Sequence, residues 1–467
     1  MNRKWWTLAG ACAGLFILML DSTVVALALP SIRKDVDASA EGLQWVMNAY
    51  LLTIAVLVVT AGRLGDMFGR KRVFLAGLVL FAFGSVVSGA AQDQDMLILG
   101  RVLQGAGAAP MLSLSLALVC NVFPKAEQPR ALGIWAAVSA VALAIGPLAG
   151  GLLIELDWRV IFWMNLPILA LGFAITAAAA PESTDPDAGT SIDWLGLALL
   201  SVGITAGVLA LVQSQAWGRG SIAGLGVVSL LSLAGFWLAE HRVRDPIVEF
   251  ALFRNKPYFG ASAAAFALVG GYWAVMFFQP QYLQDVRGHS PILSGLMILP
   301  VTVPMIFISP FSGRLIARFG ARGLMTTGML LGTLGLLVLT RISADTSYGL
   351  VLVGYLLFGV ALGFVYAPMS TAAMAAMPGD KVGIASGVLA MVRVLAGAVA
   401  LAATGAVFHA LLGDGHSFAG SIAGSTWVPV ALCALGTALT WGFVRDPDHE
   451  SSPAELRHHM HHKRYHF

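Results

Sequence analysis

Charge is what this sequence has least of: Asp, Glu, Lys and Arg make up 11% of its 467 residues, against about 25% in an ordinary soluble protein. That supply cannot cover the water-facing surface of the roughly three soluble domains that length alone would suggest. Cysteine is scarce as well. Cys12, Cys120 and Cys433 lie far apart, each inside an apolar run, without metal-ligand spacing. A disulfide framework and a zinc site are therefore not expected, and the three read as small buried hydrophobes. No GxxxxGK[ST] occurs, so there is no Walker-type loop to cradle a nucleotide phosphate. Energy for uphill work must come from an ion gradient or from a separate partner. Nothing in the sequence marks a catalytic residue, a cofactor site or an enzyme.

What is present is apolar length. Hydrophobic residues make up 58% of the chain, and runs of roughly 20 residues recur, each long enough to cross ~30 Å of hydrocarbon. The start, MNRKWW and an apolar run to Pro30, is too long for a secretory signal and lacks a small-residue cleavage site, so it reads as a retained first helix. Spans are expected near 5–30, 42–62, 73–92, 96–122, 130–154 and 159–180. A polar break follows at 181–193, PESTDPDAGTSID, whose Pro, Asp, Ser and Thr mark a loop. Two further spans near 194–213 and 221–239 and a charged connection fill 194–258. Six more follow near 259–283, 291–312, 323–340, 348–376, 382–411 and 426–444, within 259–444. The tail, 445–467, carries His458, His459, His461 and His462; metal binding is conceivable there, but a solvated tail is the simpler account.

The expected architecture is all-α and integral to the membrane: two six-helix bundles, 1–180 and 259–444, plus two inserted helices. About twenty Lys and Arg fall on the side of the termini and about six opposite, which orients both termini to the cytoplasm. Topology thus accounts for basic clusters such as Arg70 to Arg72, and no nucleic acid is needed as a partner. The two bundles look like copies of one unit. GRLGDMFGRKR at Gly62 to Arg72 has an echo in GRLIARFGAR at Gly313 to Arg322, and Gly100, Gly105 and Gly107 align approximately with Gly354, Gly359 and Gly363. Parallel repeats around a central pathway are a transporter architecture, with substrate held near the midplane between halves that rock.

Asp21 is the one carboxylate placed well inside a span, in LFILMLDSTVVALALP, at a cost of ~2.5–3.5 kcal/mol on insertion scales. It should face the bundle interior or a wet cavity. Desolvation disfavours a charged carboxyl and a nearby cation favours it, so alternating exposure could load and unload a proton. The alternatives are a substrate-cation contact or a plain hydrogen bond to a neighbouring helix. Arg101 shares one face of the fourth helix with Gln104, Gly105 and Ala108 and is either a cavity cation influencing Asp21 or a snorkelling side chain. Arg393 is a second intramembrane cation. Gly146, Pro147 and Gly150 in AIGPLAGG combine a kink with close-packing spacing, which suggests a hinge or seal. Asp66 and Arg70 in GRLGDMFGRKR suggest a conformational latch.

Together these stretches resemble the major facilitator superfamily, specifically its drug:proton antiporters with fourteen spans. The motifs are LDSTVVALALP, QWVMNAY, GRLGDMFGRKR, RVLQGAGAAP and AIGPLAGG. The resemblance implies that Asp21 takes part in proton coupling or cation recognition, Asp66 and Arg70 in the cytoplasmic latch, Arg101 in coupling, and Gly146, Pro147 and Gly150 in controlling leak. Departures are Ala26 where the group commonly has Asn, Ala142 at the usual first glycine of the fifth-helix motif, and Ala317 in the second loop where the first has Asp66. The expected function is proton-driven export of amphipathic small molecules by a monomeric carrier in the bacterial cytoplasmic membrane, in contact with lipid. A lipid or lipid-linked cargo and a non-transporting sensor are the alternatives. Asn48, Tyr50, Trp135, Trp273, Phe277 and Gln279 supply aromatics and amides suited to flat ligands; core packing or lipid contact is the competing role for each.

Overall fold

The computed structural model describes residues 3–125, 127–184, 192–243, 246–378 and 381–444. The His-rich tail therefore lies outside the described residues. Among the described residues, fourteen helices are long and apolar enough to span a membrane. The first six are α1 (Arg3–Asp35), α2 (Ala40–Phe68), α3 (Arg70–Gly89), α4 (Gln94–Val122), α5 (Gln128–Ile154) and α6 (Val160–Ala179). Then come α7 (Trp194–Val212) and α8 (Arg219–Glu240). The last six are α9 (Lys256–Val286), α10 (Pro291–Ile308), α11 (Ser312–Leu339), α12 (Tyr348–Ala375), α13 (Val382–Gly413) and α14 (Phe418–Phe443). No strand occurs among the described residues. In lipid this is forced, because a helix satisfies its own backbone polar groups.

Helix starts follow the polar residues between apolar runs. Ser39, Asp93, Asp193, Asn255, Ser290 and Ser417 each accept a hydrogen bond from a first-turn amide of the helix that follows, a cap worth about 1 kcal/mol. α1 runs five residues past its expected end and carries Arg33 and Lys34 in its last turn, where cations favour the helix dipole. The last span also begins earlier than expected, because a short helix, Phe418–Ser425, precedes Trp427–Phe443.

The largest departure from the expected spans is at the two repeated loops, which barely exist as loops. α2 and α3 are separated by Gly69 alone, at φ 111°. In the second copy the helical path bends at the corresponding Gly320, at φ 74°. Only glycine reaches such angles without a steric penalty, so one residue turns the chain in both halves. Gly69→Ala is expected to cost about 1–3 kcal/mol, since its Cβ would also fall 2.6 Å from a Glu182 carboxylate oxygen. Gly62→Ala should be neutral, its nearest new contact being 3.6 Å away. Thermal unfolding of the two variants side by side checks this pair.

The packing repeats as the sequence does. α1 packs on α4, α5 and α6, α2 on α4, and α3 on α4 and α6; with eight added to each number, the second group shows the same pairs. Gly100 touches Ser88 of α3 and its counterpart Gly354 touches Gly335 of α11. Gly105 approaches the Tyr50 carbonyl of α2 and Gly359 the Val301 carbonyl of α10. The third aligned pair diverges, with Gly107 on α3 and Gly363 on α10. The groups meet through α5 with α10, α13 with α2, and α1 with α9, contacts that exchange under the same two-fold relation. α7 packs on α8, α13 and α2, while α8 turns Leu230 and Leu231 outward, 71% and 68% exposed, as suits a lipid-facing helix.

Candidate functional site

Asp21 lies wholly buried within the first six-helix group, ion-paired with Arg101 at 2.6 Å, and neither side chain is exposed. The carboxylate also accepts from Gln104 Nε2 at 3.2 Å and Asn165 Nδ2 at 3.0 Å. Ser85 Oγ accepts from those same two amides. Arg101 donates further to Gln104 Oε1 at 2.8 Å and, through Nε, to the Val46 carbonyl at 3.1 Å. Its guanidinium stacks 4.1 Å from the centre of the Tyr50 ring. The pair thus ties α1, α2, α3, α4 and α6 together. Isolated, either charge would be prohibitively costly here; paired and hydrogen-bonded, both are tolerated. Asn165 and Ser85 were not anticipated from the sequence, although an Asn within the apolar run MNLPILALGF carries the signal that drew attention to Asp21.

Between the two groups is a cavity of about 110 Å³. Its wall is largely aliphatic, from residues such as Met19, Ile54, Leu112 and Met305, with Ser22, Tyr50, Tyr272, Trp273, Thr302 and Tyr366 as polar or aromatic members. Arg393 is the one formal charge among the described residues lining it. Of the residues read as possible substrate contacts, Tyr50 and Trp273 lie on this wall. The other four do not. Asn48 is fully buried off the cavity, with neither side-chain polar atom partnered among the described residues. Trp135 donates to Ser115 Oγ between α5 and α4 at 3.3 Å. Phe277 packs edge-on to Phe278, and Gln279 accepts from the Tyr355 hydroxyl at 2.7 Å, both inside the second group. Asp21 does not line the cavity either; Tyr50, which touches Arg101, separates the ion pair from it.

The contacts joining the groups lie at the end away from the termini. Gln284 of α9 donates to the Leu27 carbonyl of α1 at 3.0 Å, and Gln44 of α2 bonds His409 of α13 at 2.9 Å. The third contact involves the fifth-helix motif. Gly146 and Gly150 let α5 press against Thr23 and Val24 of α1. On its other side, Gly295 of α10 faces the Pro147 carbonyl, where an added methyl would overlap it, and a Cβ on Gly151 would fall 2.8 Å from Ile292 Cα. The motif is thus a close-packed seam touching both α1 and α10.

At the opposite end Asp66 accepts from Arg70 Nε at 2.7 Å. The turn is held from outside by Glu182, whose two carboxylate oxygens accept from the amides of Lys71 and Arg72 at 3.0 and 3.2 Å. A carboxylate at a helix N-terminus satisfies orphan amides and favours the dipole. Glu182 belongs to the polar break read only as a loop from the sequence. Glu182→Gln is expected to weaken this docking, so that exchange of the Lys71 and Arg72 amides with deuterium rises about fivefold or more.

Paired helical halves around a central cavity sealed at one end are the architecture of a polytopic membrane transporter. The chain belongs to the Major Facilitator Superfamily, which it matches over residues 11–401. It is 35% identical over 424 residues to the tetracenomycin C resistance and export protein of Streptomyces glaucescens, covering 88% of this chain and 77% of that one. It is 36% identical to the multidrug resistance protein Stp of Mycobacterium tuberculosis (strain CDC 1551 / Oshkosh), with the same coverage. With the puromycin resistance protein pur8 of Streptomyces alboniger it shares 32% identity over 95% of this chain and 92% of that one. Among solved structures, a D-xylose-proton symporter superposes with a TM-score of 0.69 at 14% identity, covering 95% of this chain and 98% of that one. At that identity the likeness concerns the fold alone.

Proposed function

We propose that this transporter is a proton-coupled exporter of amphipathic small molecules, working by alternating access in a bacterial cytoplasmic membrane with both termini in the cytoplasm. Relatives named for antibiotic resistance and export support the cargo class. The single observation that carries the coupling is the buried Asp21–Arg101 pair and its place on α1. Within two turns of Asp21, that helix contributes Thr23, Val24 and Leu27 to the seam with α5 and α9. Protonating Asp21 removes the carboxylate's charge from a pair that binds α1 to α4. Arg101 then keeps its bonds to Val46 and Gln104 and its stacking on Tyr50, and α1 is free to shift at the seam. Substrate on Tyr50 and Trp273 favours one state and the proton the other, which is what exchange requires. Asp66 and Arg70 act as the latch at the cytoplasmic end, and Gly146, Pro147 and Gly150 as the seal that limits leak. The protein works as a monomer.

Purified protein in liposomes under an imposed pH gradient tests this reading. Fluorescent amphipathic dyes of either charge are followed together with a labelled phospholipid. Dye flux that rises with the gradient is expected; lipid movement without dye, or flux of neither, would overturn the assignment.

A further inference from the structure

We infer that the cavity takes flat aromatic compounds bearing an acidic oxygen, a phenolate or a carboxylate, in preference to cations; this rests on the transport reading above and names its substrate class. Among the described residues the wall offers one charge and it is positive. Arg393 of α13 donates from Nη2 to Ser370 Oγ at 2.6 Å, and its guanidinium stands 5.3 Å from the Tyr366 ring centre. Nε has no partner, and no carboxylate lies within ion-pair distance of Arg393 among the described residues. The carboxylate of the first group, Asp21, is behind the wall and spent on Arg101. A second donor is also unspent. Tyr272, 7% exposed and on the cavity wall, has a hydroxyl without a partner among the described residues. Its ring meets Trp273 edge-on at 5.6 Å.

A guanidinium and an unpartnered hydroxyl beside aromatic faces form a donor set with no competing acceptor charge. An anionic oxygen would receive charge-assisted bonds there, and a planar ring would stack on the aromatic faces. A cation would meet like charge in a poorly hydrated space with no carboxylate to compensate it.

The test is equilibrium binding of two xanthene dyes of similar size, anionic fluorescein and cationic rhodamine 123, to the full-length protein in detergent, read by anisotropy without any gradient. Wild type is expected to bind fluorescein about tenfold or more tightly than rhodamine 123. Arg393→Gln should weaken fluorescein by about tenfold and remove the preference, and Arg393→Lys should keep it within about threefold. Tyr272→Phe should weaken fluorescein about fivefold and leave rhodamine 123 unchanged. Equal or tighter rhodamine binding by wild type, no fluorescein binding, or fluorescein binding indifferent to both Arg393→Gln and Tyr272→Phe overturns the inference. Fluorescein bound with the expected preference but never transported under a gradient would sink the exporter reading alone. Gradient-driven rhodamine flux without fluorescein binding would sink only the charge preference.

Discussion

Asp21→Asn is expected to lower gradient-driven dye flux in proteoliposomes by at least about tenfold and to abolish proton release on substrate addition. The amide retains the size and some of the hydrogen bonds of the carboxylate, so the lost property is the exchangeable charge. The same substitution leaves Arg101 buried without a counter-ion, as Arg101→Gln leaves Asp21. Breaking one side of a buried pair costs about 3–5 kcal/mol, whereas replacing both sides with neutral groups is often close to neutral. Both single variants should therefore unfold at lower temperature than wild type, and Asp21→Asn/Arg101→Gln should recover most of the loss. Gradient-driven flux should stay at least about tenfold below wild type in all three. Flux restored in the double variant would mean that the pair is only a structural tie between α1 and α4.

A comparably large effect is expected from Gly295→Leu. The residue faces the Pro147 carbonyl at the seam between α10 and α5, where even a methyl overlaps. Overpacking costs about 1–3 kcal/mol, and here it falls on the sealed conformation only. The ratio of sealed to unsealed molecules should drop roughly five- to 150-fold. Spin labels at Leu156→Cys and Asp345→Cys, in the α5–α6 and α11–α12 connections, with the three native cysteines replaced, would report this as a longer distance at that end. Gly133→Leu, on α5 with no atom within 4 Å of its would-be Cβ, is the control and should leave the distances unchanged. An unaltered distribution in Gly295→Leu would show that the seam yields without opening.

The spans were legible because lipid imposes a length and an apolar composition that can be counted along the chain. Helix rotation was not, and it decided the cavity wall. Asn48 and Tyr50 are two residues apart and so point about 200° away from each other; only Tyr50 reaches the cavity. Phe277 is one turn from Trp273 but further toward the sealed end, where the second group closes around it. Asp21 stood out because a carboxylate in a span is expensive, and Arg101 by the same argument. Asn165 and Ser85 are cheaper to bury and gave a fainter signal. The short turns at Gly69 and Gly320 were hidden because polar residues in a sequence look alike whether they extend a helix into the interface or end it. Glu182 was obscured by its neighbours, since its work is done across 110 residues of chain, on the amides of α3.

The placement of α7 gives the carrier two unlike flanks. Where α2 and α13 meet, α7 packs against both and screens that crevice from the surrounding acyl chains. Among the described residues the inserted pair packs on this flank, and the seam between α5 and α10 has no comparable helix against it. On that side the acyl chains meet the outer faces of α5 and α10 directly. The two flanks thus present unlike surfaces to the bilayer, a helix pair laid over one junction and the bare junction itself on the other.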